Sequence, residues 1–121
     1  MARSTEEVFE DHLRLRSHGD LDADLEQNYG EDIVLFCEFG THRGRGAIRE
    51  SGRRLGLQLP DAEFEFSTKL VQGECAFLVW NARSERFEVD HGVDTFVIRD
   101  GRITAQTIYY RLSRGSLDDD A

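Results

Sequence analysis

The stretch RFEVDHGVDTFVIRDGRI, residues 86–103, contains an aspartate, Asp94, within a run of apolar and β-branched residues. Such a run predicts a β-strand, in which neighbouring side chains point to opposite faces of a sheet. The apolar residues Phe87 and Val89 stand at odd positions, but later ones such as Phe96 stand at even positions. The apolar pattern therefore changes phase within a single predicted strand.

A β-bulge at Gly92 explains this change of phase, because a bulge adds one residue to one strand of a pair. With the bulge, Asp94 lies on the buried face with Phe96 and Ile98. Without it, Asp94 faces outward beside Asp90. We favour the bulge, since it also bends the sheet and leaves a cavity. A carboxylate removed from water must be paired or become neutral, so a buried Asp94 would be chemically unusual.

The preceding part of the chain predicts three helices and one strand. Ser4 and Glu7 have the spacing of a capping box, which starts an amphipathic helix that ends at Gly19. A shorter apolar pattern follows, with Asp20 as N-cap and Gly30 as terminator. The predicted helices cover residues 4–19, 20–30 and 46–56, and the predicted strand covers 33–39.

After Ala62 the pattern changes to four strands with alternating polar and apolar residues. Turn signals separate these strands, and a strong one is Asp100-Gly101 between two apolar runs. The predicted class is α+β in the order α-α-β-α-β-β-β-β, with the helices covering one face of an antiparallel sheet.

Composition predicts a single domain over residues 1–121 and limits its partners. Fifteen basic residues against 24 acidic ones give a net charge of -9, so nucleic acid and anionic membranes are not expected partners. No apolar run approaches the length of a membrane span. The chain ends in the acidic segment SLDDDA, and residues 113–121 are predicted to form a disordered tail.

Cys37 and Cys75 lie far apart in apolar segments and form no CxxC motif, which indicates a reducing, cytoplasmic compartment. Both are interpreted as small buried apolar residues. His42, His91 and Glu38 lack the spacing of metal ligands, so no metal is predicted. The sequence contains no phosphate-binding loop motif, and no cofactor is expected.

Several fragments resemble the nuclear transport factor 2-like superfamily, in particular its ketosteroid isomerase and SnoaL-like polyketide cyclase branches. They are EVFEDHLRLRSHGDLDADLEQNYGEDIVLFCEFG, RGRGAIRE, VWN and VDTFVIRDGRI, and the resemblance runs from Glu7 to Leu112. It implies a cystatin-like cone, in which a curved sheet wraps on three N-terminal helices around an internal pocket, and a homodimer formed through the outer sheet face. The fold does not fix the function, because this superfamily holds enzymes, binding modules and oligomerisation domains.

The resemblance assigns Asp94 to a carboxylic acid that is held neutral and donates a hydrogen bond to a developing oxyanion. At two positions the chain departs from the isomerase pattern, which argues against steroid isomerisation. The general base position falls on Cys37, and an oxyanion-binding tyrosine position falls on His12. A pair of His12 with an ionised Asp94 would instead suit proton abstraction next to a carbonyl group. The neutral and ionised versions of Asp94 exclude each other at a given pH.

The predicted site has Asp94 and His12 as catalytic residues and a small apolar or carbonyl-containing molecule as ligand. Two alternatives stay open, a ligand-binding protein without catalysis and an interaction domain. An interaction domain would use the apolar outer sheet face, which has the character of a covered surface and contains Phe77, Val79, Val93, Thr95 and Val97. The resemblance implies that Tyr29, Trp80 and Tyr110 line the pocket, and the other predicted ligand-binding residues are Cys37, Leu78, Phe96 and Ile108.

Overall fold

The computed structural model describes residues 2–114, which form three helices and one seven-stranded sheet. This arrangement confirms the predicted α+β class. The elements are α1 (Thr5–Ser17), α2 (Leu21–Asn28), β1 (Tyr29–Cys37), β2 (Gly40–Arg43), α3 (Arg45–Gln58), β3 (Glu63–Gln72), β4 (Cys75–Arg83), β5 (Phe87–Arg99), β6 (Arg102–Tyr109) and β7 (Ser113–Arg114).

The strands lie in the order β2-β1-β6-β5-β4-β3, and β7 pairs with β5 beside this path. All pairs are antiparallel except β1 with β6, which are parallel. The sheet is therefore mixed, where the sequence predicted an antiparallel one. The sequence pattern did not predict β2, because this strand is fully exposed and has no apolar alternation.

Helix α1 begins with the predicted capping box. The Ser4 hydroxyl accepts from the backbone N–H of Glu7 at 3.1 Å, and the Glu7 carboxylate accepts from the backbone N–H of Ser4 at 2.8 Å. These bonds satisfy two donors that the first turn of a helix leaves free. The helix buries one side against the sheet, with Val8, Phe9, His12, Leu13 and Leu15.

Strand β5 contains the bulge that the change of phase predicts. Trp80 of β4 pairs with Gly92 of β5, and two residues along β4, Ala82 pairs with Val89. Two steps on β4 thus correspond to three steps on β5, so β5 carries one extra residue. The extra residue lies just before Gly92, where His91 has a positive φ of 60°.

The bulge brings the even-numbered part of β5 onto the inner face of the sheet. Val89, Asp94, Phe96 and Ile98 are all buried there. Gly92 has a separate role, because a Cβ atom at this position would meet the Trp80 ring at 2.4 Å. Glycine therefore leaves the space in which the indole lies against the strand.

Phe87, which the odd-numbered phase placed on the buried face with Val89, is instead 37% exposed at the start of β5. The predicted tail also differs from the structure at its beginning. Ser113 and Arg114 form β7 by pairing with Glu88 and Phe87. The rest of the predicted tail, residues 115–121, lies outside the described residues. None of the described helices is both long and apolar enough to cross a membrane.

Candidate functional site

The helices and the inner face of the sheet enclose a cavity of about 110 Å³, here called the inner pocket. Both predicted catalytic residues, His12 and Asp94, border it. Three of the predicted ligand-binding residues also border it, namely Leu78, Trp80 and Ile108. The other walls are formed by Leu13, Arg16, Ser17, Leu35, Ile48, Ser51, Leu55, Phe64, Phe66 and Gln106.

Asp94 is 6% exposed, and both of its carboxyl oxygens accept hydrogen bonds from neutral groups. Trp80 Nε1 donates to Oδ1 at 2.9 Å, and Gln106 Nε2 donates to Oδ2 at 2.9 Å. The Tyr29 hydroxyl donates to Gln106 Oε1 at 2.6 Å, which turns the amide nitrogen of Gln106 toward Asp94. The carboxyl group is therefore held in one orientation by two neighbouring strands.

Burial raises the pKa of Asp94 above the ordinary aspartate value of 3.8. The hydrogen bonds from Trp80 and Gln106 and the charges of His12 and Arg16 act in the opposite direction, because they favour the ionised form. Burial is the largest of these causes, so the net shift is upward. Asp94 binds a proton more readily than an aspartate in water does.

His12 is 5% exposed, and its partner is a different aspartate from the one that the sequence suggested. Its Nδ1 atom lies 2.7 Å from Oδ2 of Asp24 in α2. The predicted direct pair of His12 with Asp94 is therefore wrong, although both residues border the same pocket. Because Nδ1 is engaged by Asp24, Nε2 is the ring nitrogen left for a ligand.

Asp24 is fully buried between α1 and α2 and was not a predicted site residue. Besides His12, it accepts a hydrogen bond from Asn28 Nδ2 at 2.8 Å and lies 3.6 Å from the guanidinium of Arg16. The sequence contained one indication that Asp24 would be buried. Asp24 and Asn28 are four residues apart on the side of α2 that also carries Leu25, so both were due to face the core.

Two predicted ligand-binding residues, Tyr29 and Phe96, lie behind the inner pocket and do not border it. Their rings contact the imidazole of His12, with ring centroids 5.9 Å and 5.1 Å away respectively. Burial raises the pKa of the Tyr29 hydroxyl, which therefore stays protonated and donates to Gln106. These residues support the site from the core.

Cys37 and Tyr110 border a second cavity of about 410 Å³ beside α3, here called the outer chamber. Tyr110 donates a hydrogen bond to Gln58 of α3, and its ring lies 5.5 Å from that of Trp80. Burial raises the pKa of the Tyr110 hydroxyl. Cys37 is half-buried, whereas Cys75 is exposed, which corrects the expectation that both thiols are buried.

Within residues 2–114, no three side chains among His, Cys, Asp and Glu converge in the way that metal ligands do. The inner pocket brings together a carboxyl with a raised pKa, an imidazole oriented by a second carboxylate, and the side chains of Trp80 and Gln106 that hold the carboxyl.

Several solved structures have the same fold. An NTF2-like protein of unknown function from Cytophaga hutchinsonii has a TM-score of 0.72 at 10% identity, covering 92% of this chain and 93% of that one. A candidate ketosteroid isomerase from Kribbella flavida has a TM-score of 0.73 at 14% identity, covering 88% and 77%. A candidate polyketide cyclase from Sinorhizobium meliloti has a TM-score of 0.69 at 24% identity, covering 84% and 93%. At these identities the likeness shows the fold alone.

The family model of the SnoaL-like domain matches residues 9–106, which include His12, Asp24 and Asp94. A comparison with curated proteins gives no match. The three helices and the curved, open, mixed sheet agree with the fold of the solved neighbours. The resemblance seen in the sequence is thus confirmed, and the chain belongs to the SnoaL-like domain family with a nuclear transport factor 2-like fold.

Proposed function

We propose that this protein binds a small, largely apolar carbonyl compound in the inner pocket and transfers a proton from and to it, in the manner of an isomerase or cyclase. One observation carries the proposal. Asp94 is a buried carboxyl at the wall of a mainly apolar pocket that it shares with His12. The raised pKa of Asp94 brings its proton affinity closer to that of an efficient general base at neutral pH.

In the proposed reaction, the Asp94 carboxylate accepts a proton from the carbon next to the carbonyl group. The C–H electron pair moves into an enolate, and protonated Asp94 then returns the proton to the same or a neighbouring carbon. Trp80 and Gln106 each hold one oxygen of Asp94, so the carboxyl keeps its orientation through both transfers.

In this scheme, His12 binds the carbonyl oxygen of the ligand. Its imidazolium form donates from Nε2 to the enolate oxygen and stabilises the negative charge that develops there. Asp24 accepts from Nδ1 and keeps that proton on the far side of the ring. Asp24 acts through His12 and is thus a positioning residue.

Exchange of α-protons for deuterium tests the proposal directly. Cyclohexanone, a one-ring enolisable ketone, is incubated with the protein in deuterated water and followed by proton NMR. We expect the Asp94→Asn variant to lose about 100-fold or more of the exchange rate, the usual contribution of a general base. Asp90→Asn is the matched control, because Asp90 is exposed on the same strand.

Two outcomes would contradict this function. If the wild type binds the ketone but exchanges no protons, the protein is a ligand-binding module without catalysis. If Asp94→Asn exchanges protons as fast as the wild type, Asp94 is not the base.

We also propose that two copies associate through the outer sheet face. Leu70, Phe77 and Thr95 form a cross-strand row there, beside a shallow groove of about 360 Å³. Leu70 is exposed in the isolated chain, and the predicted interface residues of β4 and β5 are only half-buried. Sedimentation velocity should give a dimer for the wild type and a monomer for Val97→Glu. Glu26→Lys in α2 is the control and should remain dimeric, because Glu26 is exposed outside the sheet, whereas a monomeric wild type would refute the proposal.

A reducing, cytoplasmic location stays a prediction based on the two free thiols, Cys37 and Cys75. Cys75 is exposed, so it reports the redox state of its compartment. Alkylation in urea directly after cell lysis, which also reaches thiols buried between copies, should label Cys75 without prior reduction. Labelling that requires a reductant would contradict the location.

A further inference from the structure

The inner pocket alone is too small for a ligand of ordinary size. Its volume is about 110 Å³. An apolar cavity of about 150 Å³ holds one benzene molecule, and ligand sites in proteins usually measure about 300–1,000 Å³. The inner pocket is smaller than the benzene cavity, so it admits the carbonyl edge of a ring, and the rest of the molecule must extend beyond it.

The outer chamber offers the space for such an extension. It measures about 410 Å³ and shares three wall residues with the inner pocket, namely Leu35, Ser51 and Ile108. The two cavities are therefore adjacent, and these residues lie between them. A ligand that enters both cavities would occupy a volume within the usual range for small-molecule sites.

The outer chamber differs from the inner pocket in chemistry. Arg54 borders it, and the guanidinium of Arg54 lies 5.0 Å from the centroid of the Phe39 ring. Within residues 2–114 this guanidinium makes no direct ion pair, although Glu50, which is paired with the adjacent Arg53, also borders the chamber and is close enough for the charge of Arg54 to lower its pKa. Arg54 can therefore donate hydrogen bonds to a ligand oxygen while its ring contact fixes its position.

Glu38 borders the same chamber, and its charge contributes to the raised pKa of Tyr110. A ligand with several negative charges would be repelled by Glu38. The chamber is suited to a single carboxylate or carbonyl group placed at Arg54, with aromatic or aliphatic carbon against Phe39, Ile108 and Leu112.

We infer that the substrate has two parts, a ring whose carbonyl edge enters the inner pocket beside Asp94 and an oxygen-bearing apolar remainder in the outer chamber, bound by Arg54. This inference rests on the proposed function and assigns Arg54 as a specificity-determining residue. The ligand class is an amphipathic ketone of at least two rings that bears a single acceptor group at the end remote from the carbonyl.

Three ketones with the same head test the inference: cyclohexanone, 4-phenylcyclohexanone and 4-(4-oxocyclohexyl)benzoate. Trp80 is the single tryptophan of the chain and borders the inner pocket, so its fluorescence reports binding of the common head. We expect the second ring to tighten binding about tenfold through burial of apolar surface. We expect the carboxylate to tighten it by about another tenfold through its bond to a charged donor.

Arg54→Gln should remove the gain due to the carboxylate and leave the affinity for 4-phenylcyclohexanone within about twofold. Arg53→Gln on the same helix is the matched control, because Arg53 is exposed and borders neither cavity. Ala47→Phe would take up space in the outer chamber, which Ala47 borders without bordering the inner pocket, and it should remove the advantage of both two-ring ketones while cyclohexanone still binds.

The outcomes separate the two proposals. Equal affinity of the wild type for all three ketones, or an Arg54→Gln variant that keeps the full preference for the carboxylate, would overturn the two-part substrate and leave the proposed function intact. Failure of every ketone to change the Trp80 fluorescence would overturn both.

Discussion

The two buried aspartates of this protein, Asp24 among the helices and Asp94 on the sheet, have opposite kinds of partner. Asp24 is fully buried against His12, Asn28 and the guanidinium of Arg16, so two cationic or potentially cationic groups face it. Asp94 accepts hydrogen bonds only from neutral groups and borders a cavity. Burial alone therefore does not describe the surroundings of a buried aspartate, whereas its direct partners do, an imidazole and a guanidinium at Asp24 and two neutral hydrogen-bond donors at Asp94.

The largest effect is expected on removing Asp24, because its loss leaves the buried side of His12 and Arg16 without their carboxylate. Asp24→Ala should lower the free energy of unfolding by about 3–5 kcal/mol, the usual cost of breaking a buried ion pair. Urea denaturation measures this change. The control is Asp22→Ala in the same helix, where the exposed ion pair with Arg49 should be worth no more than about 1 kcal/mol. Equal losses of unfolding free energy in both variants would contradict the larger contribution expected of the buried Asp24.

A smaller loss of stability is expected when the space that Gly92 leaves for the Trp80 indole is filled. Gly92→Ala should cost about 1–3 kcal/mol, because the new Cβ atom meets the indole and must displace it. Displacing the indole also removes the hydrogen bond from Nε1 that lowers the pKa of Asp94. Carbon-13 NMR of the Asp94 carboxyl should then show a higher pKa than in the wild type. An unchanged titration would mean that the bond from Trp80 is unimportant.

A smaller, pH-dependent effect follows from the raised pKa of Asp94. Between the pKa of the unfolded chain and the higher pKa of the folded one, the folded state binds more protons, so stability falls as pH rises through this window. Asp94→Asn lacks this titration. Its stability relative to the wild type should therefore increase with pH above about 4, by at most about 1.4 kcal/mol per pH unit. Urea denaturation of both proteins over a pH series measures the difference, and a constant difference would contradict the shift.

The smallest expected effect is a change in the tautomer of His12 when Asp24 is removed. Nitrogen-15 NMR of the neutral imidazole should place the proton on Nδ1 in the wild type, because Asp24 accepts there. Asp24→Ala should move the ring toward the mixture of tautomers found in solution, a change of about 1 kcal/mol or less. Asp94→Asn should leave the tautomer as it is. A change in the second variant and not in the first would mean that Asp94 orients the ring.

The sequence was informative about Asp94 because the decisive pattern is local. The phase change between Val89 and Phe96 lies within one strand, and strand periodicity is enough to predict a bulge and the face on which Asp94 lies. The same reasoning placed the bulge at Gly92, one residue past the extra position. Gly92 itself makes room for Trp80, a contact between strands that the pattern of one strand does not contain.

The partner of His12 could not be derived in the same way. Its helix and that of Asp24 were both predicted, but the contact depends on how α1 and α2 pack across their connecting turn. The parallel pairing of β1 with β6 was missed for a related reason. The two strands are distant in the chain, and their relative direction depends on the path of all the connections between them.

The bulge in β5 also has an evolutionary consequence. Because strand side chains alternate, deletion of the single codon for His91 would leave Val89 and Asp94 an even number of residues apart, so both would still face inward from a regular ladder between β4 and β5. The change would remove only the local bend that the extra residue gives to β5. A three-nucleotide deletion can therefore reshape the sheet beside the inner pocket, with every residue of the pocket still encoded.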